Sequence, residues 1–278
     1  METIFKYYRK RIESDRNTYM RYLKSEIDWE ERLIGIVGAR GAGKTTMLFM
    51  HIKENFSDRS KALYVSLDNL WFANNSLTDL CEYFCAYGGT HIFMDEIHRY
   101  PNWSIELKNI YDNYPELHIV FTGSSMLEIY KGEADLSRRA VRYELHGLSF
   151  REYLGIEKVM ELPIYSLNDI LTNHCNIASE ITAKVKILPL FKAYLEHGYY
   201  PFYRESVKNY ASKLQNVINT VIENDLPAIE KIDYSGLYSI KKLLMILSSL
   251  VPYTPNIEQL SNEMKLNRAS TLKYYIFR

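Results

Sequence analysis

The sequence of 278 residues is long enough for one large domain or two ordinary ones, and 47% of its residues are hydrophobic, which is sufficient for a buried core. Lysine plus arginine number 34, as do aspartate plus glutamate, so no net field draws the whole chain toward nucleic acid or anionic lipid. The longest strongly apolar stretch, 243–251, is about half of the roughly 20 residues that a membrane helix needs. The N-terminus lacks the apolar run of a secretory signal, so we expect a soluble cytoplasmic protein without membrane contact.

Short apolar runs alternate with helical patterns over the first half of the chain. After an N-terminal helix, we predict strands at 33–37, 61–65, 91–95, 117–122 and 140–145, with helices between them. This alternation is typical of an α/β fold in which helices flank both faces of a parallel sheet. The sequence therefore predicts an α/β domain over residues 1–147.

The first predicted strand, LIGIV, runs directly into GARGAGKT at 38–45 and then into a helical pattern. Glycines let the backbone wrap closely around a phosphate, and the helix N-terminus adds partial positive charge. Lys44 can reach the β- and γ-phosphates, and Thr45 can place its hydroxyl on Mg²⁺. A glycine-rich turn without a ligand is the alternative, but the full GxxxxGK[ST] spacing favours a nucleotide site. The predicted nucleotide contacts are Gly38, Ala39, Arg40, Gly41, Ala42, Gly43, Lys44, Thr45 and Thr46.

Two adjacent acids follow the third predicted strand, in HIFMDEIHRYPNW. Asp95 at the strand end would hold the hydration shell of magnesium together with Thr45, and Glu96 would orient or deprotonate the attacking water. A solvated turn or a helix N-cap is the alternative interpretation. The phosphate loop upstream favours a magnesium site with Glu96 and Lys44 in catalytic roles.

Polar residues also flank the last two predicted strands. Thr122 or Ser124 could read the γ-phosphate or position the water, because ligands collect at the carboxyl ends of strands in open α/β sheets. A helix cap at Ser124 or Ser125 is an open alternative. Arg138 and Arg139 are either solvated surface charges or the source of an arginine that stabilises the transferring phosphoryl group, in the same chain or in a neighbouring subunit. We favour Arg139 for that role.

Beyond residue 147 the strand signals end. Residues 148–250 have helical patterns, which we interpret as a lid that covers the nucleotide and moves with its state. Residues 251–278 have the pattern of two helices of a helix-turn-helix without a wing. Arg268, Ser270 and Lys273 would face DNA from the second helix, while a plain helical hairpin is the alternative.

These features together resemble the P-loop ATPases of the AAA+ superfamily. The closest resemblance is to prokaryotic ATPases that join the ATPase core to a winged helix and a C-terminal domain of restriction-endonuclease-like fold. The matching stretches, over most of residues 30–226, are RLIGIVGARGAGKTTML, FMDEIHRYPNWSIELKNIYD, IVFTGSSMLEI, DLSRRAVRYELHGLSFREYL and, more weakly, EHGYYPFY and VIENDLP. The resemblance implies an ATP site at a subunit or domain boundary and the roles given above, with Arg139 as the finger. None of the matching stretches belongs to the nuclease-like domain, so we do not carry nuclease activity over to these residues.

We therefore expect an ATPase that uses ATP and Mg²⁺ to drive a conformational change, with double-stranded DNA or a second copy of the chain as candidate partners. The main alternative is a nucleotide-gated switch or DNA-binding module with little hydrolysis, although Glu96 argues against a purely binding role. A P-loop kinase is less favoured because the sequence offers no acceptor site. A Rossmann dehydrogenase is excluded because GARGAGKT lacks the GxGxxG spacing.

Overall fold

The computed structural model describes residues 2–16, 19–123, 136, 138–229, 232, 234–250, 254 and 256–264. Contacts along the chain divide it into two compact units, Met1–Tyr210 and Ala211–Arg278. A helix with the length and apolar character needed to cross a bilayer does not occur in the described ranges.

The first unit is built on five parallel strands, with the order β2-β3-β4-β1-β5 across the sheet. Their bounds are β1 Leu33–Val37, β2 Ala62–Ser66, β3 His91–Asp95, β4 His118–Gly123 and β5 Val141–Glu144. Each lies within one residue of its predicted start and within one residue of its predicted end. The predicted α/β fold of the P-loop NTPase type is confirmed, and β1 lies between β4 and β5 with all its side chains buried.

Helices cover the sheet in this unit. They are α1 Glu2–Ser14, α2 Leu23–Glu26, α3 Lys44–Asn55, α4 Leu77–Ala86, α5 Trp103–Asn113, α6 Phe150–Ile156, α7 Leu167–Lys184 and α8 Ile187–Ala193. Short 3-10 turns at Leu70–Ala73, Ile97–Arg99 and Pro201–Glu205 and a π turn at Tyr194–Gly198 complete it. The predicted N-terminal helix is present as α1, whose buried Ile4, Tyr8 and Ile12 recur every four residues and join the core.

The second unit is helical where it is described. It contains α9 Tyr210–Thr220, which begins at the unit boundary, a π turn Val221–Asp225, α10 Leu226–Ile229, α11 Tyr234–Ser249 and α12 Ile257–Glu263. Leu243, Leu260 and Met264 form a small buried cluster between α11 and the end of α12. The second helix of the predicted helix-turn-helix, with Arg268, Ser270 and Lys273, lies outside the described residues. The domain limits at 147 and 250 stay predictions.

Candidate nucleotide site

Residues 38–43 connect the carboxyl end of β1 to α3, which begins at Lys44. Gly43 precedes α3 with φ of 100°, in the left-handed region that costs an L side chain roughly 1–2 kcal/mol. A Cβ at Gly38 would overlap the carbonyl oxygen of Leu145, just beyond β5. Glycine at these two positions therefore permits the tight turn that leaves the first N–H groups of α3 available to an anion.

The side chain of Lys44 is buried beneath the loop. Its Nζ donates to the carbonyl oxygens of Gly38 at 2.8 Å and Ala39 at 3.1 Å. Burial lowers the pKa of Lys44, and the negative charges of Glu96 and Asp95 oppose that effect. The loop thus holds the ammonium group against its own backbone, from where the same donors can turn to phosphate oxygens.

Asp95, the last residue of β3, is buried and accepts three side-chain hydroxyl hydrogen bonds. Thr45 donates to its Oδ2 at 2.6 Å and Tyr64 of β2 donates to the same oxygen at 2.7 Å. Thr122 of β4 donates to Oδ1. Burial is the main cause that raises the pKa of Tyr64, and the charge of Asp95 raises it further, so the phenol remains a donor. The carboxyl ends of three strands and the start of α3 therefore converge on one carboxylate.

Glu96 follows directly but turns away from Asp95. Its φ of 55° is left-handed, which is uncommon for a residue other than glycine and occurs often at functional sites. Its backbone N–H donates to Oγ1 of Thr122 at 3.2 Å, and its Oε2 lies 3.4 Å from Nε2 of His98. The side chain of Glu96 retains 23% exposure. The turn therefore separates a buried acid that binds hydroxyls from an accessible acid beside the loop.

A cleft of about 910 Å³ opens over these groups. Its floor is formed by Gly41, Gly43, Lys44, Thr45, Thr46 and Glu96, and its walls include Arg16, Tyr19, Ile156, Lys158, Phe202 and Arg204. Its volume lies within the range of small-molecule sites, roughly 300–1,000 Å³. The floor supplies a lysine, hydroxyls and helix-end amides, which suit a nucleotide phosphate, and Thr45 beside Asp95 offers the oxygen ligands that Mg²⁺ prefers. The residues present therefore fit both ATP and Mg²⁺.

Two features of the site were missed by the sequence analysis. The buried guanidinium of Arg21 donates to Glu152 of α6 at 2.7 Å and to the carbonyl oxygen of Ala42 inside the phosphate loop. The ring of Phe202 packs on the loop so closely that a Cβ at Gly41 would lie 2.8 Å from it. Of these residues only Glu152 had a signal in the sequence, because SFRE at 149–152 has the capping-box pattern in which Ser149 and Glu152 cap α6.

The remaining predicted residues divide into three cases. Thr122 is fully buried under the turn of Asp95 and Glu96, where it accepts from the N–H of Glu96 and donates to Asp95, and its predicted role as sensor stays a prediction. Ser124 lies outside the described residues. Arg139 comes just before β5, at the amino ends of the strands and so at the end of the sheet away from the phosphate loop. Its Nε and Nη2 each donate to Asp112 at 3.0 Å. Because four residues of parallel strand span roughly 13 Å, this position separates Arg139 from the loop of its own chain, and its role as the finger stays a prediction.

The class of protein follows from this geometry. A glycine loop joins a central parallel strand to a helix that begins with lysine and threonine, and a neighbouring strand ends in the paired acid: this is a nucleotide-binding P-loop NTPase domain. Residues 30–154 match the family AAA_14, described as an AAA domain.

A curated relative is the uncharacterized protein MJ1637 of Methanocaldococcus jannaschii, which is 28% identical over 256 residues. That match covers 87% of this chain but 54% of MJ1637, so the chain spans about half the length of its relative.

Similar solved structures include the Walker-type ATPase PABY2304 of Pyrococcus abyssi, with a TM-score of 0.46 and 13% identity over 81% of this chain and 79% of that one. AMPPCP-bound DnaA from Aquifex aeolicus gives a TM-score of 0.36 and 16% identity over 91% of this chain and 83% of that one.

Proposed function

We propose that this chain binds Mg·ATP in the cleft over residues 38–46 and hydrolyses it, and that hydrolysis drives movement of the helical segments around the cleft. The observation that carries the proposal is the 2.6 Å hydrogen bond between Thr45 and Asp95, with accessible Glu96 one residue further on. A phosphate-binding loop alone would support binding. The paired acids beside it supply both a metal position and a base for water.

Each group has a distinct role in this proposal. Lys44 leaves the carbonyl oxygens of Gly38 and Ala39 and donates to the β- and γ-phosphate oxygens, where its charge offsets the charge that develops in the transition state. Residues 41–43 and the first turn of α3 donate backbone N–H groups to the phosphates.

Thr45 and Asp95 would hold Mg²⁺, which supplies charge neutralisation between the phosphates when it is bound. Tyr64 and Thr122 keep the Asp95 carboxylate oriented through their hydroxyl groups. Glu96 orients the attacking water and accepts its proton. The backbone N–H of Glu96 donates to Thr122, which would hold in place the turn that carries the carboxylate.

The proposed coupling uses the contacts of the helical segments with the loop. Phe202 rests on Gly41, and Arg21 links Ala42 to Glu152 at the start of α6. A change in the loop on nucleotide binding would therefore be transmitted to both segments. The same contacts also support the second candidate function, a nucleotide-gated switch with slow turnover.

Two further elements of the proposal concern surroundings and partners. The free thiols Cys81, Cys85 and Cys175 support a reducing, cytoplasmic location. Coupling to double-stranded DNA stays a prediction, because its candidate residues lie outside the described ranges.

Equilibrium ATP binding, with and without Mg²⁺, and steady-state phosphate release test this proposal. We expect binding in the wild type, weaker binding in Lys44→Ala, and phosphate release that rises with Mg²⁺. Binding without phosphate release under all conditions, including added double-stranded DNA, would favour the switch. A wild type that does not bind ATP would overturn both candidates.

A further inference from the structure

A second cavity, of about 730 Å³, adjoins the nucleotide cleft. It opens at the carboxyl ends of β2 and β3, where Ser66, Asp95 and residues of the turn Leu70–Ala73 line it. Thr45 and Glu96 line both this cavity and the nucleotide cleft. The groups proposed to hold magnesium and to activate water therefore lie between the two cavities.

Three elements bring arginines to this space, which we call the arginine cavity. From α1, the phosphate loop and the turn after Glu96, these are Arg11, Arg40 and Arg99. The acids among its described lining residues are Asp68, Asp95 and Glu96, so the formal charges cancel. Mg²⁺ held by Thr45 and Asp95 would leave the cavity with an excess of positive charge, which suits a small anion.

The guanidinium of Arg11 is held by two aromatic rings. Its Cζ lies 5.5 Å from the ring centroid of Phe49 and 5.4 Å from that of Tyr64, both within the roughly 6 Å of a cation–π contact. A guanidinium that stacks on rings keeps its planar set of N–H donors, two of which can bind one phosphate together. Tyr64 in turn donates to Asp95 at 2.7 Å. One ring therefore links Arg11 to the proposed metal ligand.

The direction of the proposed reaction leads toward the arginine cavity. In phosphoryl transfer the attacking and leaving oxygens are roughly in line, so the phosphoryl group moves away from the nucleotide and toward the water. The γ-phosphorus forms a bond to the oxygen of water, its bond to the bridging oxygen breaks with the electron pair on ADP, and Glu96 accepts a proton of water. Because Glu96 lines the arginine cavity, the new phosphate would form beside it.

We propose that the arginine cavity receives the inorganic phosphate formed from ATP and holds it while Mg·ADP occupies the nucleotide cleft, a role that rests on the proposed function. Arg11 and Arg99 donate to the phosphate, which leaves through this cavity without passing ADP. A phosphate group on a different ligand is the other source of the same chemistry. Binding of the product requires Mg·ADP, because the metal supplies the excess charge, whereas binding of an unrelated phosphate ligand does not.

Equilibrium dialysis of the whole chain with radiolabelled inorganic phosphate tests this role. Phosphate binding is measured with Mg·ADP, with ADP alone and without nucleotide, and ADP affinity is measured on the same samples. We expect saturable phosphate binding that is at least about tenfold weaker when Mg²⁺ or ADP is left out. Equal binding in the three conditions would assign the cavity to a different phosphate ligand and overturn the proposal. ADP binding without phosphate binding would overturn this proposal alone, whereas a chain that does not bind ADP would overturn the proposed function as well.

Variants of α1 locate the bound phosphate. Arg11→Gln removes the guanidinium, and Arg11→Lys keeps the charge without the planar pair of donors. The matched control, Arg9→Gln, removes an exposed arginine from the same helix. We expect the dissociation constant of phosphate to rise at least about tenfold in Arg11→Gln, less in Arg11→Lys and not in Arg9→Gln, with equal far-ultraviolet circular dichroism. A phosphate affinity that is unchanged in Arg11→Gln, or that falls equally in Arg9→Gln, would contradict the proposal.

Discussion

The guanidinium of Arg21 donates a 2.7 Å hydrogen bond to the carboxylate of Glu152, 131 residues further along the chain. Both side chains are buried, with 6% and 2% of their surface exposed. Arg21 also donates to the carbonyl oxygen of Ala42 in the phosphate loop and, at 2.8 Å, to that of His146. One residue thus joins the loop to the segment that follows β5, so the shape of the phosphate site depends on a contact outside it.

Breaking this pair should weaken both the fold and nucleotide binding. Arg21→Ala leaves the Glu152 carboxylate buried without its partner, a change that typically costs about 3–5 kcal/mol. We expect the free energy of unfolding in urea to fall by about that amount and ATP affinity to fall with it. Lys241→Ala, which breaks the exposed pair with Glu223, should change stability by less than about 1 kcal/mol. Similar losses of unfolding free energy in the two variants would show that the buried pair of Arg21 and Glu152 stabilises the fold no more than an exposed pair does.

Two imidazoles in poorly hydrated positions should make the fold sensitive to mild acid. Burial, the larger cause, and the charge of Lys24 lower the pKa of His51 to about 3. Burial and the neighbouring His118 lower the pKa of His91 to about 4. Their ordinary value is 6.5, so between pH 6.5 and 4 the unfolded chain binds protons that the folded chain does not. The free energy of unfolding should therefore decrease as pH falls through this window, by up to about 1.4 kcal/mol per pH unit for each group.

Urea unfolding at several pH values measures that slope in matched variants. His51→Gln removes one buried imidazole, which stacks on Trp29 with ring centroids 3.6 Å apart, and should flatten the slope. His146→Gln removes an imidazole that is 61% exposed and should leave the slope unchanged. Equal slopes in wild type and His51→Gln would refute the assignment.

The hydroxyl of Thr45 should control the requirement for magnesium. Thr45→Ser keeps the group that donates to Asp95, whereas Thr45→Ala removes it and leaves the cation one oxygen ligand short. In titrations of steady-state ATP hydrolysis, we expect the half-saturating Mg²⁺ concentration to stay near wild type for Thr45→Ser and to rise several-fold for Thr45→Ala. If Thr45→Ala requires no more Mg²⁺ than wild type, Thr45 is not a metal ligand.

Arg139 provides a test of how the site is completed. Because Arg139 pairs with Asp112 at the edge of the sheet opposite the loop, Arg139→Ala should leave turnover unchanged in dilute protein, where chains act singly. A rate that falls in Arg139→Ala only at high protein concentration would assign the arginine to a neighbouring copy. A loss of rate at every dilution, absent in the control Arg138→Ala, would contradict the position that the structure gives Arg139.

The sequence predicted those parts of the molecule whose signals are local. The apolar runs define the strands to within a residue, and the spacing from Gly38 to Thr45 defines the loop because its chemistry resides in consecutive residues. Tyr64 was not predicted, because its bond to Asp95 arises only when β2 and β3 pair. Phe202 on Gly41 and Arg21 with Glu152 were missed for the same reason, since contacts between distant segments leave no periodic pattern.

Single-turnover hydrolysis by Glu96→Gln tests whether Glu96 activates water for hydrolysis of bound ATP. Wild type and Glu96→Gln are compared at saturating enzyme, with ATP binding measured on the same samples. Glutamine keeps the shape of the side chain but cannot accept the proton of water. If Glu96 is the base, we expect Glu96→Gln to keep ATP affinity within about threefold of wild type and to lower the hydrolysis rate by about a hundredfold or more. An unchanged hydrolysis rate in Glu96→Gln would contradict it.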